Sequence, residues 1–431
     1  MIIHIVGQGE TVDSIAQKYS KPVDRFALEN GINISDSLAV GEALVVVYPE
    51  IEYTVQPGDT LVSIASAHNT SLMEILRNNP YLSDRKFIYP GEIIVIKYEG
   101  EKTSSISTNG YVYPFVNLDI LKKTLPFLTM LSIYSHYYDE NGDILFVNDS
   151  EIIQMAIAYG VAPVMVLAEI ADGDQAGRGV THNILINPVA QDNLINNLIL
   201  ILNRSGYYGV NLISPYVLPE DRPLFVEFID KLSTRLHLAG YKINLSLTLN
   251  VFEVMTNVLY EDLQYDKLGQ LADNVILMSY EAGFTLGVSQ GIIAFETIDN
   301  ILNYAVSMVS SDKIFYGFST VGYFWELPIL SGATRGQAIR YNAAIDIARE
   351  FNAAIKFDDV TKISYFQYAI DSEYVVRFKD ARGIDAFAGL VPRHNIRGVG
   401  LWNVMYFFTQ MWLVINTQYE IERIVPLRIQ D

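Results

Sequence analysis

The sequence predicts an α/β chain: a (β/α)8 barrel of parallel strands with a small α+β insertion between its seventh and eighth strands, preceded by two small βααβ modules. Three observations lead there. Residues 1–98 repeat themselves, with His4 aligned on Tyr53, an offset of 49 residues. From residue 110 onward, eight short apolar runs rich in β-branched residues alternate with stretches of helical period. Between the two regions lies a polar, Ser/Thr-rich stretch, "EGEKTSSISTNG".

The repeat is taken first. "HIVGQGET" at residues 4–11 matches "YTVQPGDT" at 53–60, and Val12, Ile15 and Ala16 match Leu61, Ile64 and Ala65 at helical spacing. A second short helix follows in each copy, "VDRFALENG" and "LMEILRNNP". "LAVGEALVVV" and "IYPGEIIVIK" close the units with a Gly turn and an apolar strand. The expected boundaries are 1–49 and 50–98 for the modules, 99–109 for a linker, and 110–431 for the barrel. Glu10 and Asp59 stand beside Thr11 and Thr60 where the first helix of each unit begins, suiting unpaired N–H groups and the positive helix end.

The barrel runs, in order, are 110–115, 128–135, 161–167, 209–214, 242–248, 274–280, 313–319 and 397–402. "NPVAQDNLINNLILILNRSG" before the fourth is a helix with Asn-Pro at its start and Gly at its end. "ISYFQYAIDSEYVVRFKD", in the overlong last crossover, reads as a hairpin turning near Asp371-Ser372. In a TIM-type barrel, chemistry sits at the C-terminal strand ends. There the sequence places Tyr113, Tyr134, Tyr280, Tyr323, Trp325 and Trp402, an aromatic rim whose ring faces suit sugar rings, with ordinary core packing as the alternative for each residue.

Composition narrows the function. With 30 Lys plus Arg against 49 Asp plus Glu, the net charge of −19 argues against nucleic acid or anionic membrane as the main partner. No cysteine is present, which excludes disulfides, thiolate metal sites and a Cys nucleophile. Six scattered His residues show no metal-ligand spacing, and no phosphate loop or nucleophile elbow occurs, so neither metal nor cofactor is expected. The N-terminus shows no basic run followed by an apolar stretch, which predicts synthesis in the cytoplasm without a secretory signal. Oligomeric state is not readable from the sequence.

The repeated unit resembles the LysM module, most closely in "YTVQPGDTLVSIA". The resemblance implies binding to N-acetylglucosamine polymers such as peptidoglycan or chitin, in a groove between residues 7–11 and 31–34 of the first copy and between 57–60 and 79–82 of the second. Gly9, Glu10, Thr11, Gly58, Asp59, Thr60, Asn79 and Tyr81 are the implied glycan-binding residues. A small packing or protein-docking module is the alternative.

The large region resembles glycoside hydrolase family 18, in its spore-associated branch with N-terminal LysM repeats. The resemblance rests on "VAPVMVL", "GYYGVNLISPYVLPEDR", "LMSYEAG", "IFYGFSTVGYFWELP" and "RGVGLWNV". It implies a fourth strand with Asp-x-x-Asp-x-Asp-x-Glu, whose Glu protonates the glycosidic oxygen while the preceding Asp orients the attacking acetamide. Those four positions are Tyr208, Asn211, Ile213 and Pro215 here, and none is a carboxylate. Shifting by one, to Leu212, Ser214 and Tyr216, is no better. Glu220 and Asp221 read as a helix start, Glu169 and Asp172 follow the third strand, and Glu281 follows the sixth, where the family has Asp after the Tyr. Tyr113, Tyr280, Glu281, Tyr323 and Trp402 are the expected substrate-binding residues, Trp402 because the family's eighth strand supplies a Trp to the pocket floor. Three functions are thus weighed: a glycan-binding protein of the spore or cell envelope that has lost catalysis, an active cortex glycosidase with a relocated acid, and a structural coat protein.

Overall fold

The structure, a computed structural model, describes residues 1–170, 178–214, 217–247, 251–254, 257–260, 263–278, 295–329, 334 and 336–425. In the first module, β1 (Ile2–Ile5) pairs antiparallel with β2 (Ala43–Val46), Ile2 opposite Val46, around helices Val12–Lys18 and Val23–Asn30. The second repeats this with β3 (Pro49–Thr54) and β4 (Ile93–Tyr98) around Leu61–Ala67 and Leu72–Asn78. Both first helices open on the same capping box. Thr11 and Thr60 accept from the backbone N–H of Ser14 and Ser63, whose hydroxyls accept in return from the cap N–H.

The strand β2 is buried along its whole length. Leu44 and Val46 face the module's own helices with Phe26 and Ile15, while Ala43 and Val45 belong to the large core shared with the barrel. Val95 of β4 does the same in the second copy. The unbroken apolar run "ALVVV" therefore serves two faces: each module is sandwiched between its helices and the barrel.

The barrel consists of β5 (Ser104–Val112), β6 (Met130–Tyr138), β7 (Ala162–Glu169), β8 (Gly209–Ile213) and β9 (Lys242–Leu247), then, beyond a small hairpin of β10 (Val251–Val254) and β11 (Asn257–Tyr260), β12 (Asn274–Leu277) and β13 (Ile314–Ser319). The insertion follows: β14 (Gly322–Glu326), β15 (Gln337–Ile339), β16 (Lys356–Asp358), β17 (Ile363–Ala369) and β18 (Glu373–Phe378) form one antiparallel sheet backed by helix Tyr341–Glu350. The expected hairpin is β17–β18, with Ala369 opposite Glu373. Last comes β19 (Gly398–Trp402), which pairs in parallel with both β13 and β5 and closes the barrel of eight. A short β20 (Tyr419–Ile421) extends β5 at its start.

One expectation is corrected. Residues 104–109, expected within the linker, are the first half of β5. Their polarity misleads because Ser107, Thr108 and Asn109 find internal partners. Ser107 donates to Glu422 across 2.5 Å, Thr108 donates to the Phe127 carbonyl across 2.5 Å, and Ser132 donates to Asn109 across 2.8 Å. The connection left over is held too, since Lys102 lies 2.8 Å from both Glu74 and Glu420.

The modules are docked rather than tethered. Arg349 on the insertion helix lies 2.8 Å from the buried Glu42 and 3.5 Å from Asp36. The Val40 carbonyl accepts from the Ile355 N–H at 2.8 Å. Only glycine fits at position 41, because a Cβ there would lie 1.9 Å from the Ile355 carbonyl oxygen. At the second module, the Asn416 amide donates to Asn78 across 2.7 Å and Lys123 pairs with Asp84 at 2.9 Å.

Candidate functional site

Alternation along the strands decides which residues reach the barrel interior. Tyr111, Met130, Val164, Val166, Ile276 and Phe315 form the inner cluster, and Leu131, Leu167 and Tyr316 belong to the outer core. On β8 the inward set includes Asn211 and Ile213, two of the positions where the resemblance implies acids. Asn211 is fully enclosed. Its amide donates to the Tyr111 hydroxyl at 2.8 Å, its carbonyl accepts from Ser246 at 2.8 Å, and Tyr111 and Ser246 join at 2.9 Å. This closed triangle is neutral and needs no ion. Beside the Tyr111 ring, β13 and β19 place Gly317 and Gly400 opposite each other. A Cβ on Gly400 would stand 3.1 Å from Ile276 and 3.8 Å from the Tyr111 ring.

Above the triangle, Ile213, Tyr134 and Trp402 pack on the same inner cluster. Tyr113, Tyr134 and Trp402 are partly exposed and mutually in contact, with centroids 5.1 Å apart for Tyr113–Tyr134, 5.3 Å for Tyr134–Trp402 and 5.9 Å for Tyr113–Trp402. Trp402 also meets Tyr111 at 5.6 Å. Phe115, 77% exposed, stacks on Tyr113 at 5.4 Å and 18°. Among the described residues, the structure thus gathers Tyr113, Tyr134 and Trp402 of the expected rim and adds Tyr111 and Phe115, which sequence reasoning passed over. Their signal was the spacing of two along one strand and its exit, 111, 113 and 115.

Tyr323 and Trp325 are buried with Val375 in the insertion sheet, and the Tyr323 hydroxyl meets Ser319, the strand partner of Trp402. Tyr208 sits at the opposite, N-terminal mouth, beside Lys242 and Asp273. Pro215, Tyr216, Asp172, Tyr280 and Glu281 fall outside the described residues. Of the described carboxylates that follow barrel strands, Glu169 accepts from Thr181 on an outer helix, and burial raises its pKa. It lies two residues beyond Leu167 on the same face of β7, so it points away from the interior. Asp221 is buried and holds His182 at 2.9 Å, and Glu220 is exposed in the turn before helix Arg222–Leu238.

In the modules, the expected glycan residues divide. Gly9 and Gly58 turn the loop in the left-handed region, with φ of 78° and 91°. Glu10 and Asp59 close that loop from within. Glu10 accepts from the Gly7 N–H at 2.7 Å and lies 2.9 Å from His4 Nε2, while Asp59 accepts from the Gln56 N–H at 2.7 Å and the Tyr53 hydroxyl at 2.8 Å. The Gly7 N–H, assisted by His4 and Lys18, pulls the Glu10 carboxyl down to about 2. Thr11 and Thr60 are the helix caps. Asn79 is fully buried, its amide donating to the Ile75 and Val95 carbonyls and its oxygen accepting from the Val95 N–H. Tyr81 is half-buried under the Arg85 guanidinium, 5.3 Å from its ring centre.

With this geometry in view, comparison with known proteins is direct. The profile of Glycosyl hydrolases family 18 matches residues 178–406, and that of the LysM domain matches residues 4–47 and 53–97. The chain is 28% identical over 433 residues to the cortical fragment-lytic enzyme of Bacillus subtilis (strain 168), covering 98% of this chain and 99% of that one. It is 27% identical over 427 residues to the enzyme of the same name from Bacillus anthracis, covering 97% and 98%. The crystal structure of the Bacillus cereus spore cortex-lytic enzyme SleL superposes with a TM-score of 0.80 at 26% identity, covering 98% of this chain and 99% of that one. The chain carries two LysM domains and belongs to glycosyl hydrolases family 18.

Proposed function

We propose that this protein binds N-acetylglucosamine-containing glycan of the spore cortex or cell envelope and holds it without hydrolysing it. The observation behind this reading is Ile213, an aliphatic side chain packed on the inner cluster where the family's chemistry calls for a carboxylate beside a developing cation. Just below it, Asn211 is committed to a neutral triangle. Peptidoglycan or chitin-like chains would engage the LysM loops around Gly9 and Thr11 and around Gly58, Thr60 and Tyr81. In the barrel they would stack on Tyr113, Tyr134 and Trp402, with Phe115 extending the platform. Tyr280 and Glu281 would complete that cleft.

A second reading is favoured by similarity over nearly the full chain to proteins named for cortex lysis. On that reading the barrel is an active glycosidase with its acid elsewhere. The two are separated by incubating cortex fragments and an N-acetylglucosamine oligomer with the native chain and with the double variant Ile213→Asp, Pro215→Glu from pH 4 to 8. Sedimentation with purified peptidoglycan, run alongside, reports binding. Binding without turnover by the native chain is the expected result. Turnover by the native chain would replace the first reading with the second. Failure to sediment would leave a structural coat role.

A further inference from the structure

The insertion sheet has two faces, and alternation along its strands assigns them. Tyr323 and Trp325 of β14 share one with Val375 of β18, and the Tyr323 hydroxyl meets Ser319 of the barrel. Phe324 of β14, Tyr374 and Val376 of β18, and Phe366 and Tyr368 of β17 share the other. Helix Tyr341–Glu350 covers only part of that second face. Phe366, Val376 and Phe378 are buried in the large core with Tyr341 and Ile345 of the helix. Toward the β17–β18 turn the cover ends. There Phe324, Tyr368 and Tyr374 are half-buried, and Ile370 is 64% exposed.

The uncovered rings form a row. Phe351, the C-cap of the helix, stands 4.9 Å from Tyr368, Tyr368 stacks on Tyr374 at 5.2 Å and 19°, and Tyr374 meets Phe324 at 6.4 Å and 60°. Phe324, Tyr368 and Tyr374 line an open groove of about 610 Å³ together with Ile370 and the exposed Glu326 and Gln337. That volume is within the range of small-ligand sites. Among the described residues, the Tyr368 and Tyr374 hydroxyls, the Gln337 amide and the Glu326 carboxylate make no hydrogen bond or ion pair. No Lys or Arg is among the described residues of the groove, so an anionic partner finds no counter-charge there and meets Glu326 instead. Aromatic rings beside neutral donors and acceptors suit a sugar, which has apolar ring faces and a hydroxyl edge. The groove also adjoins the first LysM domain. Arg349, on the helix that Phe351 caps, lies 3.5 Å from Asp36, and Asp36 accepts at 3.0 Å from the N–H of Asn33, within the 31–34 loop implied to bind glycan.

We propose that this groove is a further glycan site, which takes a short uncharged run of N-acetylhexosamine units. A sugar ring packs against Phe324 and Tyr374, and its hydroxyl and acetamide groups bond to Gln337, Glu326 and the tyrosine hydroxyls. The site is on the sheet face away from Tyr323, separate from the Tyr113–Tyr134–Trp402 cluster. It rests on the reading that the chain binds N-acetylglucosamine glycan, and adds a place where it does so. Hydrogen exchange of the full chain, followed by mass spectrometry with and without an N-acetylglucosamine hexamer, tests it. Slower exchange in β14 and in the β17–β18 hairpin is the expected result, beside slowing at the LysM loops or the barrel mouth. Tyr374→Ala removes the ring at the middle of the groove. Gln337→Trp, at an exposed position opposite Phe324, fills the groove and leaves its rings in place. Each should abolish the slowing in the insertion and retain it at the LysM loops. Should Tyr374→Ala not fold, Gln337→Trp decides. Slowing at the LysM loops or barrel mouth with none in the insertion overturns this site and leaves the general reading standing. Slowing in the insertion that survives Gln337→Trp overturns the groove as its location. No slowing anywhere overturns both the site and the reading on which it rests.

Discussion

Asn79 shows how a residue's chemistry can be right and its address wrong. A polar residue after a LysM-like helix suggests glycan contact, yet the side chain turns inward and stitches its helix end to β4 through three backbone bonds of 2.7–2.9 Å. Asn30 makes the corresponding bonds to Phe26 and Val45 in the first domain. Asn79→Ala strands buried backbone groups and should cost about 3 kcal/mol in chemical denaturation, whereas Thr11→Ala, a cap on the surface, should cost about 1 kcal/mol. Lys379 gives a pH signature. Its amine is buried 4.9 Å from the Phe387 ring centre, and desolvation lowers its pKa from 10.5 to about 8. Below pH 8 both folded and unfolded chains hold that proton, and the fold bears the full cost of the buried ammonium. Between pH 8 and 10.5 only the unfolded chain holds it, so stability rises with pH by about 3 kcal/mol from this group. Lys379→Met should be more stable than the native chain at pH 7 by up to that amount and should lack the alkaline rise, as urea denaturation across pH 7–10.5 would read.

At the scale of elements, apolar runs were a good guide and buried polar stretches a poor one. The eight barrel runs appear within a few residues of their expected places, because parallel strands buried on both sides read as short apolar blocks. The first half of β5 was not legible, since Ser107, Thr108 and Asn109 bond to partners distant in sequence. Nor could the sequence reveal that β2 has a second buried face, because that depends on where the domain docks. Arg349 makes the docking testable. Removing it leaves Glu42, 1% exposed, without its cation. Arg349→Met should cost about 3–5 kcal/mol, and adding Glu42→Gln should recover most of the loss. Equal costs for the single and double variants in thermal unfolding would remove this ion pair from the account of docking.

For the molecule as a whole, the sequence told which pieces are present and left open how they are arranged. The barrel's mouth was legible as an aromatic cluster, and Trp402 and Tyr113 do meet there. Tyr323, expected in the same cleft from its position after the seventh strand, packs in the insertion sheet with its hydroxyl on Ser319 at the end of β13. The larger consequence is that the LysM domains are part of the barrel's surface. Ala43, Val45, Val47 and Val95 share a core with Trp412 and Leu413. Deleting residues 1–98 would therefore do more than remove a glycan tether. Three valines alone, at about 1.5 kcal/mol each, forfeit roughly 4–5 kcal/mol of apolar burial, and Trp412 would be opened to water. The full chain should accordingly melt in one calorimetric transition, and residues 99–431 alone should melt at a distinctly lower temperature and associate through the uncovered helix. Two well-separated transitions in the full chain, or an unchanged melting temperature for the truncated one, would show instead that the domains ride on the barrel without stabilising it. If the expected result holds, glycan binding by the barrel is properly isolated with substitutions on the LysM loops, such as Gly58→Val beside Thr60, and not with the deletion.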